Sequence, residues 1–505
     1  MDPQYRLGVC SHERAAEKEP DMHRGFTRNF RPLEILTQEQ VETIWSRALD
    51  VLWTTGVRIE HRRALEVLER NGCRVDYDQM RVRMPQGLVE ECLRKVPSSF
   101  RLKARDPDKD IILGGSTLHF IPFPGMHTVD LETWDPRPPT RQEFIDGVRV
   151  LDACENLGCF GSYTPYFGYA DVPPAMAITE GFALQLTHST KAQFMEGTAA
   201  GSDIFNLQLA QAVGVEYCGV VACSAPLTYY EDQIDGLFRY VEAGFPVVCG
   251  GGHVMGGSGP ATFAGSLILD LAMDTAPIVL AQLLRPGTRT GMGDIGFAMN
   301  MRTGSPDFGA IATSLHQVAR AQLSRKYSCV IGAAACGISS SKRIDFQCGY
   351  EKALSVMTAA LGGANLIWLH GGIYGELTHH PVQAVLDEEI AGMVGRFVQG
   401  ITVNDDTLAL ELIEQVGPVP GNYLTTPHTR EWWKKEQYVQ KFTDRLTLPE
   451  WTAAGKKSAL DYARERTEQI LATHKISKPL SATEEEEVQR ILKDAYSYYG
   501  KKGML

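Results

Sequence analysis

Eight short apolar runs, most of them separated by helical stretches, restrict the fold of this chain more than any other feature. The runs are CFGSYTPYF, KAQFMEG, YCGVVACSAPL, GFPVVCGGGHV, APIVLAQLL, GDIGFAMNM, SCVIGAAACGI and ANLIWLHGGI. Runs that are apolar on both faces are typical of parallel strands. Eight β/α units predict a (β/α)8 TIM barrel. The segment RPGTRTGM, between the fifth and sixth runs, is too short for a helix, so a doubly wound open sheet is the alternative.

The flanking sequence divides the chain into four parts. We expect residues 1–33 to be disordered, 34–150 to form N-terminal helices and a β-hairpin, 151–400 to form the barrel core, and 401–505 to form a C-terminal helical extension. The predicted hairpin is the segment STLHFIPFPGMHTVDLETWDPRPPT, which alternates and turns.

Two helix starts in these flanks carry capping boxes, which are Thr37 with Gln40 and Ser481 with Glu484. The last helix has an apolar stripe that includes Val488 and Ile491. This stripe predicts packing on the chain's own barrel or, less favoured, on a partner.

Composition excludes several classes of protein. The 505 residues are 44% hydrophobic and carry a net charge of −11 without a basic cluster, which argues against binding to nucleic acid or to anionic membranes. Eleven scattered cysteines, several of them in apolar runs, predict buried thiols in a reduced compartment. The longest apolar stretch, FAGSLILDLAMDTAPIVLAQLL, is interrupted by Asp270, Asp274 and Pro277, so we predict a helix followed by a strand instead of a membrane span. A cytoplasmic protein is expected.

Several common site motifs are missing from the sequence. The segment GGGHVMGGSGP lacks the ending of a phosphate-binding loop, no cysteine spacing suits zinc, and no nucleophile elbow is present. We therefore expect the chain itself to hold no metal and no nucleotide. His253, in this glycine-rich loop, either lines a pocket or is a hydrogen-bonded structural histidine.

Function in such barrels lies at the carboxyl ends of the strands. The stretch SSSKRIDFQCGYEKA (Ser339–Ala353) is a charged, hydroxyl-rich loop that follows a buried strand. Aromatic rings with a few carboxylates suit an organic cation. The predicted substrate-binding residues are Tyr163, Glu196, His253, Asp307, Lys342, Gln347, Tyr350, Glu351 and His370. For the loop, the alternative interpretation is a helix N-terminus capped by Asp345.

Several long stretches carry a resemblance to a known family. They include GGGHVMGGSGPATFAGSLILDLA, SSSKRIDFQCGYEKALSVMTAALGGANLIWLHGG, VLDEEIAGMVGRFVQGITVNDDTLALELIEQVGP and NYLTTPHTREWWKKE. In their order and spacing the chain resembles the trimethylamine methyltransferase family of amine:corrinoid methyltransferases. The resemblance implies a (β/α)8 barrel that passes a methyl group from an amine to the cobalt of a corrinoid (cobalamin) carried by a separate corrinoid protein. The cobalamin-ligand pattern D-x-H-x-x-G is absent from this sequence, which agrees with a corrinoid carried by a separate protein.

One departure from the family predicts the substrate class. Trimethylamine enzymes of the family carry pyrrolysine, whereas this chain has only standard residues and Lys342 has no electrophilic imine. The resemblance to members without pyrrolysine therefore implies a quaternary amine, with glycine betaine favoured, whose carboxylate Lys342 or Arg343 could pair. It places the chain in anaerobic metabolism related to methanogenesis, and we expect a homo-oligomer. The alternatives are a lyase using Lys342 as a Schiff-base amine and a non-catalytic betaine-binding protein.

Overall fold

A computed structural model describes residues 25–505 except 162, 197–199, 295, 328, 334–335 and 376. Its centre is a ring of parallel strands, each followed by a helix. The strands are β1 (Thr117–Pro122), β2 (Cys159–Phe160), β3 (Ala192–Glu196), β4 (Tyr217–Ser224), β5 (Val247–Gly252), β6 (Thr290–Asp294), β7 (Val330–Ala333) and β8 (Leu366–His370). The helices are α1 (Arg141–Ala153), α2 (Ala177–His188), α3 (Ser202–Ala212), α4 (Glu231–Ala243), α5 (Phe263–Leu284), α6 (Ile311–Arg325), α7 (Phe346–Gly362) and α8 (Pro381–Val398).

The ring closes through its first and last strands. β8 pairs in parallel with β1, with Leu366 opposite His119, and a parallel bridge from Phe120 to Leu157 joins β1 to β2. The remaining neighbours follow in chain order, all parallel. The predicted (β/α)8 barrel is confirmed, and the open-sheet alternative is excluded because such a sheet would leave two edge strands.

Two of the predicted elements are wrong. The fifth run, APIVLAQLL, is the second half of helix α5, and the eighth strand is instead β1, inside the segment predicted as a hairpin. Within that segment, Thr128–Val129 and Pro136–Arg137 pair with each other as short antiparallel strands. RPGTRTGM therefore needs no helix, because its first five residues join α5 to β6 and its last three belong to β6.

Helix α5 is buried around most of its circumference, which explains the error. It is long and apolar enough to cross a membrane, but 78% of its most apolar window is buried inside the protein. It packs on β5 and on the N-terminal helices. A helix buried on all sides has no polar face, so its sequence lacks the amphipathic period that marks most helices.

The barrel interior is filled at its N-terminal end by a hairpin, Ser99–Leu102 paired with Ile111–Gly114. Phe100 and Leu113 of this hairpin join the barrel's inward-facing apolar residues, among them Val248 and Val330, in one cluster. This end is therefore closed, and access to the interior is left to the C-terminal end.

The N-terminal part covers the barrel with short elements. They are strand Phe26–Thr27, helix Gln38–Thr54, strand Val57–Ile59, helix Arg62–Arg70, strands Arg74–Asp76 and Arg81–Arg83, and helix Gln86–Arg94. Phe26–Thr27 pairs antiparallel with β1, and buried Arg28 donates to the carbonyl oxygens of Ala360 and Ala364. Residues 25–33 of the segment predicted to be disordered thus pack on the barrel, and residues 1–24 lie outside the described part.

The C-terminal extension is helical, as the sequence predicts. Its helices are Asp405–Leu408, Leu410–Val416, Pro427–Glu436, Leu448–Ala453, Ala459–Thr473 and Ala482–Lys501. The last helix has the predicted capping box at Ser481 and Glu484, and it packs through Val488 and Ile491 on α3 and α2. The prediction that it packs on its own barrel is confirmed.

All ten cysteines in the described part of the chain are free and buried. Burial raises the pKa of the Cys329 thiol, for example, to about 12. The prediction of buried thiols is confirmed.

Candidate active site

Aromatic rings wall the C-terminal mouth of the barrel. Phe123, directly after β1, packs edge-to-face on Trp368 of β8 with ring centroids 4.8 Å apart. Phe297 and Phe308, both after β6, form a second such pair at 5.1 Å. All four rings belong to or pack on the apolar cluster that fills the barrel. Their faces and edges offer an apolar, polarisable lining to a bound cation.

Three glycines on neighbouring strands lie in register near the same end. Gly250 of β5 is opposite Gly293 of β6, which is opposite Gly332 of β7. Each strand alternates its side chains, and Val248 and Val330, two residues earlier, point into the barrel. The glycines therefore occupy inward-facing positions without side chains, which leaves free volume inside the wall.

The charged loop after β7 is organised by one carboxylate. Glu351 is buried, and it accepts hydrogen bonds from Ser339 Oγ at 2.6 Å, the Ser340 backbone N–H at 2.9 Å and Gln347 Nε2 at 2.8 Å. Asp345 caps α7 and accepts from a backbone N–H of the first turn at 2.9 Å. The helix-cap interpretation is thus confirmed for Asp345, while the same loop also presents buried polar groups beside the mouth.

Two cations stand on the outer edge of this loop. Lys342 is exposed, its Nζ donates to the Ser340 carbonyl oxygen at 2.8 Å, and it lies 4.3 Å from the centroid of the Tyr374 ring. Arg343, also exposed, lies 6.0 Å from the Trp134 ring. Neither has a carboxylate partner among the salt bridges of the described residues, so both can attract an anion arriving from solvent.

A buried ion pair supports the loop after β8. Lys352 Nζ donates to Asp387 Oδ2 at 2.7 Å and to the Gly372 carbonyl oxygen at 2.6 Å, while Asp387 accepts from the Gly371 N–H at 2.8 Å. Burial raises the pKa of Asp387, and the ammonium of Lys352 opposes that rise. The pair fixes the backbone that follows Trp368, and it is too enclosed to meet a substrate.

A family model described as trimethylamine methyltransferase (MTTB) matches residues 8–494. The chain belongs to the MTTB family. Its fold agrees with this assignment. The crystal structure of the Methanosarcina barkeri monomethylamine methyltransferase (MtmB) superposes with a TM-score of 0.51 at 11% identity, covering 93% of this chain and 88% of that one.

Named relatives divide between two substrates. The chain is 31% identical over 451 residues to the glycine betaine methyltransferase of Desulfitobacterium hafniense (strain Y51), covering 87% of this chain and 92% of the relative. It is 29% identical to the trimethylamine methyltransferase MttB of Desulfitobacterium hafniense (strain DSM 10664 / DCB-2), covering 92% and 94%. MttB of Methanosarcina thermophila is 26% identical, covering 89% and 95%.

The structure gathers several of the predicted site residues around one side of the mouth of this MTTB-family barrel. Asp307 Oδ1 accepts from Ser340 Oγ at 3.3 Å, which joins it to the loop that precedes Gln347 and Glu351 of α7. Lys342 lies on the edge of that loop. Tyr350 points outward, is 43% exposed and stacks near Phe346, so it belongs to the outer surface.

His253 does not reach the mouth. It is buried behind the wall, where Nδ1 lies 2.8 Å from Asp270 Oδ1 and Nε2 meets Ser266 Oγ. Of the two interpretations offered by the sequence, the structure places His253 in a buried polar cluster and not in the pocket.

His370 also lies behind the wall. The β8–β1 register shifts between Trp368 and His370, and such an irregularity turns the following side chain. His370 Nε2 lies 3.0 Å from Glu388 Oε2 on α8, fully buried. It is therefore not placed to donate to a substrate carboxylate.

Two predicted residues follow β2 and β3. Tyr163 adopts a left-handed backbone with φ of 64°, and its ring lies 4.8 Å from that of Phe167, in the loop above β2. The backbone of Glu196 ends β3, but its side chain lies outside the described part of the structure.

Sequence reasoning missed Phe123, Phe297, Phe308 and Trp368. A signal was present for Phe123, Phe297 and Trp368, which lie within three residues of the ends of strands β1, β6 and β8, but not for Phe308, which lies 14 residues beyond β6. This signal was overlooked for two reasons. β1 was assigned to a hairpin, and apolar rings are more often core residues than ligand contacts.

Proposed function

We propose that this chain transfers a methyl group from a betaine-type quaternary amine, with glycine betaine favoured, to the corrinoid of a separate corrinoid protein. The observation that carries the proposal is the aromatic mouth above the in-register glycines. Phe123, Trp368, Phe297 and Phe308 can surround a trimethylammonium group, and each ring contributes about 0.5–2 kcal/mol when desolvated. The 31% identity to a glycine betaine methyltransferase supports the same substrate class.

The substrate carboxylate needs a different partner from its cation. Lys342 and Arg343 are exposed at the rim, whereas His253 and His370 are buried behind the wall. A charge-assisted hydrogen bond of this kind contributes about 1.5–3 kcal/mol. We infer that the carboxylate faces the loop edge while the methyl groups enter the barrel.

The reaction requires little acid–base catalysis from the protein. The partner's Co(I) corrinoid supplies the nucleophile, so that a C–N bond breaks, a Co–CH3 bond forms, and a neutral tertiary amine leaves with the bonding electron pair. The chain's residues then only hold and orient the ammonium and exclude water from it. The absence of pyrrolysine is compatible with this, because a quaternary ammonium needs no prior activation.

Exposed apolar side chains surround the mouth and support the docking of a partner there. They follow strands β1, β6, β7 and β8, and they are Met126 (50% exposed), Met301 (79%), Ile311 (68%), Phe346 (86%) and Leu377 (41%). Apolar patches of this kind are typical of interaction sites. A corrinoid protein seated on this ring would place its cofactor over the aromatic pocket.

A second exposed apolar group lies on the C-terminal extension and supports self-association. It comprises Ile401 (85% exposed), Val403 (73%), Val419 (93%) and Leu424 (82%). A homo-oligomer built through this group is the form of self-association that we propose.

The lyase alternative finds less support. Schiff-base chemistry requires a desolvated lysine amine, whereas Lys342 is exposed and hydrogen-bonded to a carbonyl oxygen. A non-catalytic betaine binder would share the pocket, and only turnover separates it from an enzyme.

The test is methyl transfer from a panel of betaines and methylamines to reduced cobalamin or a corrinoid protein. We expect a quaternary amine to be demethylated once, releasing its dimethyl product, and trimethylamine to be inactive. Comparable turnover of trimethylamine would contradict the proposal. Betaine binding without any methyl transfer would favour the non-catalytic alternative.

A further inference from the structure

A second polar cluster lies behind the barrel wall, between the loop after β5 and helices α5 and α6. His253 comes from the loop, Ser266 and Asp270 stand one turn apart on α5, and His316 comes from α6. The side chains of His253 and His316 have no exposed surface, and that of Asp270 is 2% exposed. The cluster is separate from the proposed substrate pocket and takes no part in the proposed reaction.

His253 and His316 both approach the carboxylate of Asp270. His253 Nδ1 lies 2.8 Å from Asp270 Oδ1, and His316 Nε2 lies 3.4 Å from Asp270 Oδ2. Among the described residues, His253 Nδ1 and both oxygens of Asp270 nevertheless lack a hydrogen bond of acceptable geometry. A buried carboxylate in this state costs about 1–3 kcal/mol or more. Atoms that are close but not aimed at each other can instead share a common ligand.

We propose that His253, Asp270 and His316 bind one zinc ion. Their ligand atoms all lie within 4.8 Å of one another. Two imidazoles with one carboxylate are a donor set suited to zinc, whose bonds of about 2.0–2.2 Å place tetrahedral ligands about 3.3–3.6 Å apart. The 3.4 Å separation of His316 Nε2 from Asp270 Oδ2 lies within that spacing, and the 2.8 Å separation of His253 Nδ1 from Asp270 Oδ1 would have to widen to reach it.

Ser266 sets the tautomer of one ligand. When His253 donates from Nε2 to Ser266 Oγ, Nδ1 keeps the lone pair that a metal requires. Ser266 Oγ lies on the opposite side of the imidazole ring from Nδ1, so it positions His253 and is not itself a ligand. The three ligand side chains are buried and separate from the proposed substrate pocket, so the ion would have a structural role.

A second buried group, Cys154, His370 and Glu388, shows what distinguishes this cluster. Both oxygens of Glu388 have partners, the Asn156 backbone N–H at 2.8 Å and His370 Nε2 at 3.0 Å. Burial also raises the pKa of the Cys154 thiol well above its usual value, which opposes the thiolate form that binds metals. This group is explained without an ion and provides a matched control.

The zinc ion would fasten the glycine-rich loop after β5 to α5 and α6. That loop continues directly from Gly250, which belongs to the glycine row in the barrel wall. This proposal contradicts the expectation, taken from cysteine and histidine spacing, that the chain holds no metal. Spacing could not reveal the site, because the ligands are 17 and 46 residues apart in sequence and meet only in the fold.

The test uses the full-length protein, stripped with a chelator and then titrated with Zn2+ by calorimetry and with Co2+ by visible spectroscopy. We expect about one equivalent of Zn2+ per chain, a d–d absorption typical of tetrahedral Co2+, and a melting temperature that chelation lowers and Zn2+ restores. Uptake below about a tenth of an equivalent of both ions by the wild-type chain would overturn the proposal.

Variants then locate the site. Asp270→Asn and His316→Gln are expected to lose at least tenfold in zinc affinity, whereas Glu388→Gln keeps it. Unchanged affinity in a folded Asp270→Asn protein, or loss only in Glu388→Gln, would contradict the assignment. If the Asp270→Asn variant fails to fold, the wild-type titration and the zinc affinity of His316→Gln still test the proposal.

Discussion

Ser339 Oγ donates a 2.6 Å hydrogen bond to the buried carboxylate of Glu351. The bond ties the end of the β7 loop to the second turn of α7, and it holds the rim on which Lys342 and Arg343 stand. A Cβ at Gly309 would overlap the same carboxylate, so the space beside it is closely filled. The rim is therefore a fixed edge of the mouth, and changes to its exposed cations should alter binding without unfolding the chain.

The first prediction concerns the aromatic wall. We expect Trp368→Leu to raise KM for the best betaine about tenfold or more, because the loss of one cation–π contact is about 1.4 kcal/mol. Phe182→Leu is the matched control, since Phe182 is buried on α2 outside the barrel interior. The control should lower the melting temperature and leave KM unchanged. Equal KM values for both variants and wild type would exclude Trp368 from the pocket.

The second prediction concerns the glycine row. A Cβ at Gly332 would come no closer than 3.7 Å to any protein atom, so Gly332→Ala should fold normally. Its methyl group would nevertheless occupy space reserved for the substrate, and we expect kcat/KM to fall at least tenfold. Gly349→Ala, on α7 with nothing within 4 Å, serves as the control and should be fully active. Normal activity of both variants would show that the substrate does not occupy the free volume beside the glycines.

The third prediction concerns the carboxylate of the substrate. Among the cationic and histidine side chains predicted to bind the substrate, which are Lys342, Arg343, His253 and His370, only the first two are exposed at the rim. Alanine at the correct one should raise KM about tenfold, and Lys342→Glu should be worse if Lys342 is that donor. The measurement is KM for the best betaine, with circular dichroism as the folding control. Wild-type KM in both alanine variants would mean that the carboxylate is bound elsewhere.

The fourth prediction concerns acid stability. Burial lowers the pKa of His379 to about 3, although Nδ1 donates to the Phe123 carbonyl oxygen at 2.8 Å. The unfolded chain has an ordinary histidine pKa near 6.5, so it binds more protons than the folded chain below that pH. The stability contributed by neutral His379 is thus complete above about pH 6.5 and falls as the pH drops towards 3, by about 2 kcal/mol at pH 5.

Urea unfolding at pH 7.5 and pH 5 tests this directly. We expect the wild-type midpoint to fall at the lower pH, and His379→Gln to show a smaller fall. Part of the effect should persist in the variant, since burial also lowers the pKa of His380 to about 4. Identical pH dependence in the wild type and the variant would show that His379 is not the titrating group.

Local patterns in the sequence located seven of the eight barrel strands, the capping boxes at Thr37 and Ser481, and the helix cap at Asp345, because each depends on residues close together in the chain. The long motifs also carried the family. They supported a barrel whose rim includes the loop Ser339–Ala353 and its buried Glu351.

Tertiary structure alone decided which apolar runs became wall strands and which side chains faced the interior. APIVLAQLL is helical because α5 is buried on all sides, and Thr117–Pro122 is a strand because β8 and β2 flank it. One register shift places His370 behind the wall, and packing of α5 and α6 on the loop after β5 does the same for His253. Strand register, ring closure and the contacts of buried polar groups join residues far apart in sequence, and no local pattern encodes them.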